Sequence, residues 1–290
     1  MAILKEIKHR KLKKFIRLCF PNIFVDYILF WLKNGYTPSL KNPTTFNQHV
    51  FYTKYKVRDV RFKSLCDKFK VREYVENKIG SQFLIPLLLK VEKNEEIDFE
   101  KLTGPFVMKP NDAAGFVYIH NDLCEDVDKN YINKLANNWL RESYWSIGGE
   151  WQYKGLKKSV LFEQMLSNGS DLPNDYKIHC FNGVSGDFIQ ILELHSGRFG
   201  EHVQVFFDSN LNPLNIKKQT EFEDFKLNDK ELILQVFELS KRLSTGFNYV
   251  RVDWYISDGN IFFGEMTFTP GNAISNFEPV DWDYKLGEFF

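Results

Sequence analysis

Cysteine is scarce in this 290-residue chain: Cys19, Cys66, Cys124 and Cys180 stand far apart, with no Cys-x-x-Cys pair among them. So few and so scattered, they neither staple a small scaffold nor build a thiolate zinc cage, and they suit a reducing compartment. Net charge is missing too. The 38 Lys and Arg are matched by 38 Asp and Glu, so no wholesale nucleic-acid binding is expected. No apolar run reaches the roughly 20 residues of a membrane span. The best stretch, residues 18–32, is broken by Pro21, Asn22 and Asp26, and no small-residue cleavage site follows it, so neither a spanning helix nor a cleaved leader is expected. Also absent are the GxxxxGK[ST] phosphate loop, the GxGxxG dinucleotide turn, the HExxH zinc helix and the GxSxG nucleophile elbow. The six His show no ligand-like spacing to one another. These absences remove several large enzyme classes. They leave nucleotide chemistry built from β-hairpins and dispersed charges.

What is present is aromatic and polarised. The 28 Phe and 13 Tyr mean that large rings fill much of the core. Residues 1–80 carry 18 Lys and Arg against 6 Asp and Glu, a formal +12, and the rest carries the compensating −12. Seven of the first 17 residues are basic, with Ile3, Leu4, Leu12, Phe15 and Ile16 between them. Such a start is a solvated helix whose apolar stripe packs on its own domain, or a surface for an anionic membrane; nucleic acid is a weaker third partner, since the stretch matches no DNA- or RNA-binding motif.

Periodicity divides the chain into a mostly helical region 1–66 and a mixed remainder. Helical spacing runs over Asp67–Lys78, Asp128–Arg141 and Lys230–Leu243. Strand-like runs are Phe83–Val91 (continuous and apolar, hence buried), Phe106–Pro110, Phe116–Ile119, Val160–Leu166, Tyr176–Phe181, Phe188–Leu194 and Val203–Phe207. Tyr249–Ile256 and Ile261–Met266 form a hairpin across Ser257–Asn260. Hairpins mixed with helices indicate α+β architecture rather than a doubly wound sheet.

Four segments carry charge in a pattern that suggests one site. Lys109 ends an apolar strand and enters the small-residue turn Asn111-Asp112-Ala113-Ala114-Gly115, where an ammonium and backbone N–H groups can meet phosphate. Glu163-Gln164-Met165-Leu166 closes another apolar strand and can offer backbone groups to an adenine edge. Asp175 and Lys177 share one face of a strand, suited to a ribose hydroxyl and a phosphate. Arg251 and Asp253 share a face of the next to last strand, as do Glu265 and Thr267 of the last, and hairpin pairing can gather all four. Converging carboxylates are costly to bury unless they hold a cation, and oxygen donors beside phosphates select Mg²⁺.

Taken together these segments resemble the ATP-grasp superfamily, and more narrowly the teichuronopeptide-biosynthesis (TupA-like) family. The likeness rests on Asn42-Pro43-Thr44-Thr45-Phe46-Asn47, Asp67-Lys68 with Val71-Arg72-Glu73-Tyr74-Val75, Phe106-Val107-Met108-Lys109, Gly149-Glu150-Trp151, Asp175-Tyr176-Lys177, Cys180-Phe181-Asn182-Gly183, Val250-Arg251-Val252-Asp253, Phe263-Gly264-Glu265, Pro270-Gly271 and Trp282-Asp283-Tyr284-Lys285-Leu286-Gly287. It covers residues 40–290. The resemblance implies two α+β subdomains clasping ATP, at 67–165 and 166–290, behind the basic helical region 1–66.

Residue by residue, it implies Lys68 and Lys109 on the ATP phosphates, 111–115 as the loop over them, Glu163–Leu166 at adenine, Asp175 at ribose and Lys177 at phosphate. Arg251 would stabilise the transferring γ-phosphoryl; Asp253, Glu265 and Thr267 would hold Mg²⁺, Thr267 standing where most relatives have Asn. The implied reaction joins a carboxylate to an amine through an acylphosphate, in the assembly of bacterial surface polysaccharide (capsule, O-antigen or teichuronopeptide). The partners would be a small-molecule, nucleotide-sugar or glycan carboxylate and an amine, in the cytoplasm at the inner membrane face. His195, Arg198 and His202 follow the central strands, where an acceptor can bind. An ATP-grasp sugar kinase and a non-catalytic polysaccharide-biosynthesis subunit are the alternatives.

Overall fold

The computed structural model describes residues 12–121, 127–167, 172–183, 186–197, 203–216 and 227–290. The chain opens with helices α1 (12–19), α2 (Asn22–Asn34), α3 (Phe46–Lys56), α4 (Arg61–Leu65) and α5 (Val71–Ile79). Local chemistry sets their ends. Gly35 takes the left-handed conformation (φ 77°) that closes α2. Thr45 caps α3, its hydroxyl accepting from the Gln48 N–H at 3.1 Å.

Four antiparallel strands make a small sheet: β1 (Leu87–Glu92), β2 (Phe106–Pro110), β3 (Tyr118–His120) and β4 (Ser159–Gln164), in the order β1-β4-β2-β3. Between β3 and β4 lie α6 (Lys129–Arg141) and α7 (Trp145–Gly148). Asp128 caps α6 by accepting from the Tyr131 N–H at 2.9 Å. Ile132, Ala136, Trp139 and Leu140 of α6 pack on Phe106, Met108, Val160 and Phe162. By alternation, Lys109 and Glu163 occupy the sheet face opposite α6. The expected buried strand 83–91 is shorter. Ser81–Phe83 is a 3-10 turn, and pairing begins at Leu87, because Pro86 has no N–H to give a ladder. The strand is mostly half-buried.

The larger sheet has six antiparallel strands in the order β10-β9-β5-β6-β7-β8: β5 (Asp175–Asn182), β6 (Phe188–Ser196), β7 (Val203–Asp208), β8 (Pro213–Leu214), β9 (Tyr249–Ser257) and β10 (Asn260–Thr267). Helix α8 (Lys230–Ser244) and α5 cover one face, where Trp254 is fully buried and its indole N–H bonds Ser240 Oγ at 2.8 Å. The other face changes character along its length. At one end Phe181, Ile191, Phe206 and Tyr249 pack under α3 and the last helix, α9 (Asp281–Gly287), around the ring of Phe46. Toward the other end the same rows become charged. A single parallel bridge, Leu84 to Phe263, and the 2.6 Å bond from Ser257 Oγ to the Ser167 carbonyl tie the two sheet regions together.

Of the apolar stripe expected at the start of the chain, Ile3 and Leu4 lie outside the described residues, Ile16 is half-buried, and the rest is largely exposed. Leu12, Phe15 and Leu18 of α1 are exposed, and α2 buries only Asp26 and Phe30.

Candidate active site

Register builds the charged half of the large sheet. Pairing places Asp175, Lys177 and His179 of β5 opposite Tyr255, Asp253 and Arg251 of β9, and opposite His195, Glu193 and Ile191 of β6. Directly opposed residues share a face, so one surface carries all of them. Strand β10 joins it only through a bulge. From the Ser257–Asn260 turn, the ladder pairs Phe263 with Trp254 and then, after one extra residue, Glu265 with Asp253 and Thr267 with Arg251. The extra residue is Gly264. A Cβ there would lie 3.0 Å from the Asp253 carbonyl oxygen and 3.2 Å from the Tyr255 ring, so the bulge calls for glycine. Without it Glu265 and Thr267 would turn to the opposite face.

The result is a chain of alternating charge. Arg251 clasps Asp253 with two bonds of 2.7 Å. Lys177 reaches the same carboxylate at 3.0 Å and Asp175 at 3.8 Å. Arg251 also lies 3.7 Å from Glu265 and 3.4 Å from Thr267 Oγ1, which donates to Glu265 at 3.3 Å. Asp253 and Asp175 are buried. Burial alone would raise the Glu265 carboxyl, but Lys68, Arg251 and Lys177 together hold it below the usual carboxylate range.

Lys68 joins this face to the small sheet. Its ammonium stands 3.0 Å from Glu265 and donates at 2.8 Å to the Ala113 carbonyl, in the loop between β2 and β3. Burial works to lower its pKa, but the charge and hydrogen bond of Glu265, with Cys66 and Asp112 nearby, together raise it. Asn111, at the root of the same loop, is buried and acts as a clamp. Its side chain donates to Asp67 (2.8 Å) and the Lys157 carbonyl (3.0 Å) and accepts from the Ser159 N–H (2.9 Å). The loop tip, Ala114 and Gly115, is exposed, with Gly115 at φ 73°. Burial raises the Asp112 carboxyl, while Lys158 and Lys68 pull it down. Lys109 pairs with Glu163 at 2.6 Å, and Arg72 of α5 stands 3.6 Å from the other Glu163 oxygen. The Glu163 side chain therefore serves its own sheet. The N–H groups of Gln164 and Met165 are bonded to the Pro86 and Pro105 carbonyls at 3.0 and 3.2 Å. The half-buried Met165 and Leu166 are the side chains of this segment that can line a nucleobase.

Three participants were missed in the sequence. Lys158 has a buried ammonium with no hydrogen-bond partner, 4.0 Å from Asp112 beside the loop. Arg72 sits on a helix whose relation to Glu163 depends on the fold. Glu193 is buried between His179 (2.7 Å) and His195 (2.9 Å), and His179 bonds the Tyr249 hydroxyl at 2.8 Å. Alternation could have found this last group, since His179 follows Lys177 by two and Glu193 precedes His195 by two. His195 lies at the rim of the polar face; Arg198 and His202 fall outside the described residues.

The donor set suits Mg²⁺ on its own chemistry. Asp253 and Glu265 are opposed oxygen donors with Thr267 beside them, all hard ligands. Among the described residues no three His, Cys, Asp or Glu form a closed protein cage.

A family model described as TupA-like ATPgrasp matches residues 49–290. No curated protein matches the sequence. Among solved structures the chain is similar to D-alanine–D-alanine ligase from Helicobacter pylori, at 16% identity and TM-score 0.48, over 78% of this chain and 61% of that one. It is also similar to D-alanine–D-alanine ligase from Bacillus anthracis complexed with ATP, at 18% identity and TM-score 0.41, over 72% of this chain and 55% of that one. A third is N5-carboxyaminoimidazole synthetase from Staphylococcus aureus complexed with ADP, at 13% identity and TM-score 0.42, over 72% and 45%. The matched part thus spans between 45% and 61% of these chains.

Proposed function

The chain belongs to the TupA-like ATP-grasp family, and from that premise we propose that it is an ATP-dependent carboxylate–amine ligase. The observation that carries the reading is the neutral chain Lys68–Glu265–Arg251–Asp253–Lys177–Asp175, anchored at Lys68 to the Ala113 carbonyl. Three cations and three carboxylates satisfy one another here. A polyphosphate with its divalent ion offers each the opposite partner, so cations can turn to phosphate and carboxylates to metal with the charge balance kept.

In this reading Asp253 and Glu265, with Thr267, hold Mg²⁺. When bound, the ion neutralises charge on the phosphoryl group being transferred. Lys68 and Lys109 take phosphate oxygens from the side of the β2–β3 loop, and Glu163 stays compensated by Arg72 when Lys109 leaves it. Arg251 faces the oxygens on which charge builds during transfer. A substrate carboxylate oxygen attacks the γ-phosphorus, and ADP departs. An amine then attacks the acyl carbon, loses a proton, and phosphate departs. No protein nucleophile is required. His195, bonded to Glu193 and 16% exposed, stands where it can meet the acceptor.

The family resemblance supports a uronic acid or amino acid carboxylate and an amine-bearing partner in bacterial surface-polysaccharide assembly. A phosphate-release screen tests this by pairing uronic acids and nucleotide-uronates with amino acids and small amines, with product mass determined. The expected result is ADP, phosphate and an amide only when both substrates are present. A phosphorylated sugar without free phosphate would make it a kinase. Absence of Mg·ATP binding by calorimetry would make it a non-catalytic subunit.

A further inference from the structure

We propose that the paired helices α1 and α2 form a docking face for an anionic lipid bilayer, independent of the ligase reading. Of the large hydrophobic side chains exposed on the described surface, an outsized share falls in this one segment. Leu12, Phe15 and Leu18 project from α1, and Phe24, Trp31 and Leu32 are each more than half exposed on α2, with Ile23, Tyr27 and Ile28 beside them. At 100° per residue, the exposed α2 positions cover about half of the helix circumference. Scattered apolar residues need no explanation, but a contiguous face of this kind does.

The opposite side of α2 is locked to the protein. Asp26 is buried and accepts from Arg17, Lys54 and the Tyr55 hydroxyl. Lys54, itself buried, also donates to the Gly148 carbonyl at 2.8 Å and to Asn272 at 2.6 Å. Arg17 donates to the Ile147 carbonyl at 2.9 Å. Phe30 stacks edge-on against Tyr36 and Phe51, with centroids 5.3 and 5.6 Å away. So tethered, α2 cannot roll its apolar side onto the protein.

Charge selects the occupant. Residues 1–33 carry eight Lys and Arg against Glu6 and Asp26; the buried pair Arg17–Asp26 cancels, which leaves seven basic residues against one acidic, Lys13, Lys14 and Lys33 of them within the described residues. A second copy docked through the same face would bring two such basic segments together, which repels. An anionic headgroup layer attracts each basic residue by roughly 1 kcal/mol near the surface, while Phe, Leu and Trp enter the boundary beneath it. Trp31 and Tyr27 are the residue types that favour that boundary. No helix of the described residues is long and apolar enough to cross a membrane, so the face would lie in the interface plane.

The test is co-sedimentation of the full chain with phosphatidylcholine vesicles and with vesicles containing about 30% phosphatidylglycerol, at low and high salt. Binding is expected to the anionic vesicles alone and to fall as salt rises. Phe24→Ser with Trp31→Ser should lower the partition coefficient at least about tenfold, with the melting temperature unchanged because both side chains are exposed. Should that variant melt early, Phe15→Ser with Leu18→Ser on α1 makes the same test. Equal binding to both vesicle types, no binding to either, or unchanged binding by the folded variants would overturn the proposal. So would light scattering that shows a dimer abolished by the same substitutions.

Discussion

Glu265 faces Asp253 across the β9–β10 ladder only because Gly264 is an extra residue in β10. Ahead of the bulge, Phe263 pairs with Trp254 on the α8 side of the sheet. Beyond it, Met266 pairs with Val252 on that same side, and the acidic pair is set on the other. Gly264→Val places a Cβ 3.0 Å from the Asp253 carbonyl oxygen and 3.2 Å from the Tyr255 ring and so works against the bulge; a regular ladder in its place would pair residue 264 with Asp253 and turn Glu265 and Thr267 toward the layer of Trp254 and Val252. The expected outcome is loss of Mg²⁺-dependent ATP binding in calorimetry, and a destabilisation above about 3 kcal/mol in urea, because a charge would be driven into an apolar layer. A Gly264→Val variant that still bound Mg·ATP at the parental affinity would show that the bulge does not set a metal ligand in place.

Asp253 answers to two cations, Arg251 and Lys177, in a buried setting. Asp253→Asn leaves both without their main counter-charge. Turnover is expected to fall at least about a hundredfold, for loss of a metal ligand and mispositioning of Arg251. Stability is expected to fall by about 3 kcal/mol. Adding Lys177→Met should return part of the stability and none of the activity, a coupling that a double-mutant cycle in urea reads directly. Strict additivity of the two substitutions would contradict the pairing.

Much of this site was legible from alternation alone. Asp175 with Lys177, Arg251 with Asp253, and Glu265 with Thr267 are each two apart, and a period of two places each pair on one face whatever the fold. Strand order was not legible, because nothing local tells β5 to lie between β9 and β6; the Glu193–His179–Tyr249 network depends on that order. The bulge was hidden as well. Counting back from the Ser257–Asn260 turn predicts Asp253 opposite Gly264, and only the close approach at Gly264 marks the shift. Pro86 was a readable signal that the strand starts after it. The exposed face of α2 was not, since its hydrophobic spacing is that of any core helix until the buried Asp26 shows which side is held.

Acid should weaken the fold in two successive windows. Burial keeps the His49 imidazole neutral, with its pKa lowered to about 4, where it stacks on the Phe290 ring at 4.2 Å. Between about 6.5, the ordinary histidine value, and 4, the unfolded chain binds a proton that the folded one refuses, so stability drops as pH falls through that range. Glu265 acts lower down. Its folded pKa is depressed, so its contribution is complete above the unfolded value of about 4.3 and is lost as pH falls below it. Urea midpoints measured in EDTA from pH 7.5 to 3 should therefore decline in both ranges. His49→Gln should flatten the upper range alone, and Glu265→Gln the lower. An unchanged upper slope in His49→Gln would remove histidine from the explanation.

The end of α9 is fitted to backbone rather than to side chains. A Cβ at Gly287 would lie 2.4 Å from the Thr44 carbonyl oxygen and 2.7 Å from the Thr45 Cα. Neither atom can rotate away as a flexible side chain could. Thr45 caps α3, and Asp283 on α9 accepts from the Asn47 N–H at 2.9 Å and its side-chain amide at 2.8 Å, so α9 and the start of α3 are one joint. Gly287→Ala must push that joint apart. It should cost about 2–3 kcal/mol, the upper part of the overpacking range, although alanine is otherwise the better helix former. Gly155→Ala is the contrasting control. Unlike Gly287 it has positive φ (75°), and its Cβ would meet nothing within 4 Å, so its cost should be only that of backbone strain. Thermal melts of the two variants side by side would separate steric from conformational cost. A Gly287→Ala variant that melted together with the parent protein would mean that the α3–α9 contact yields without penalty.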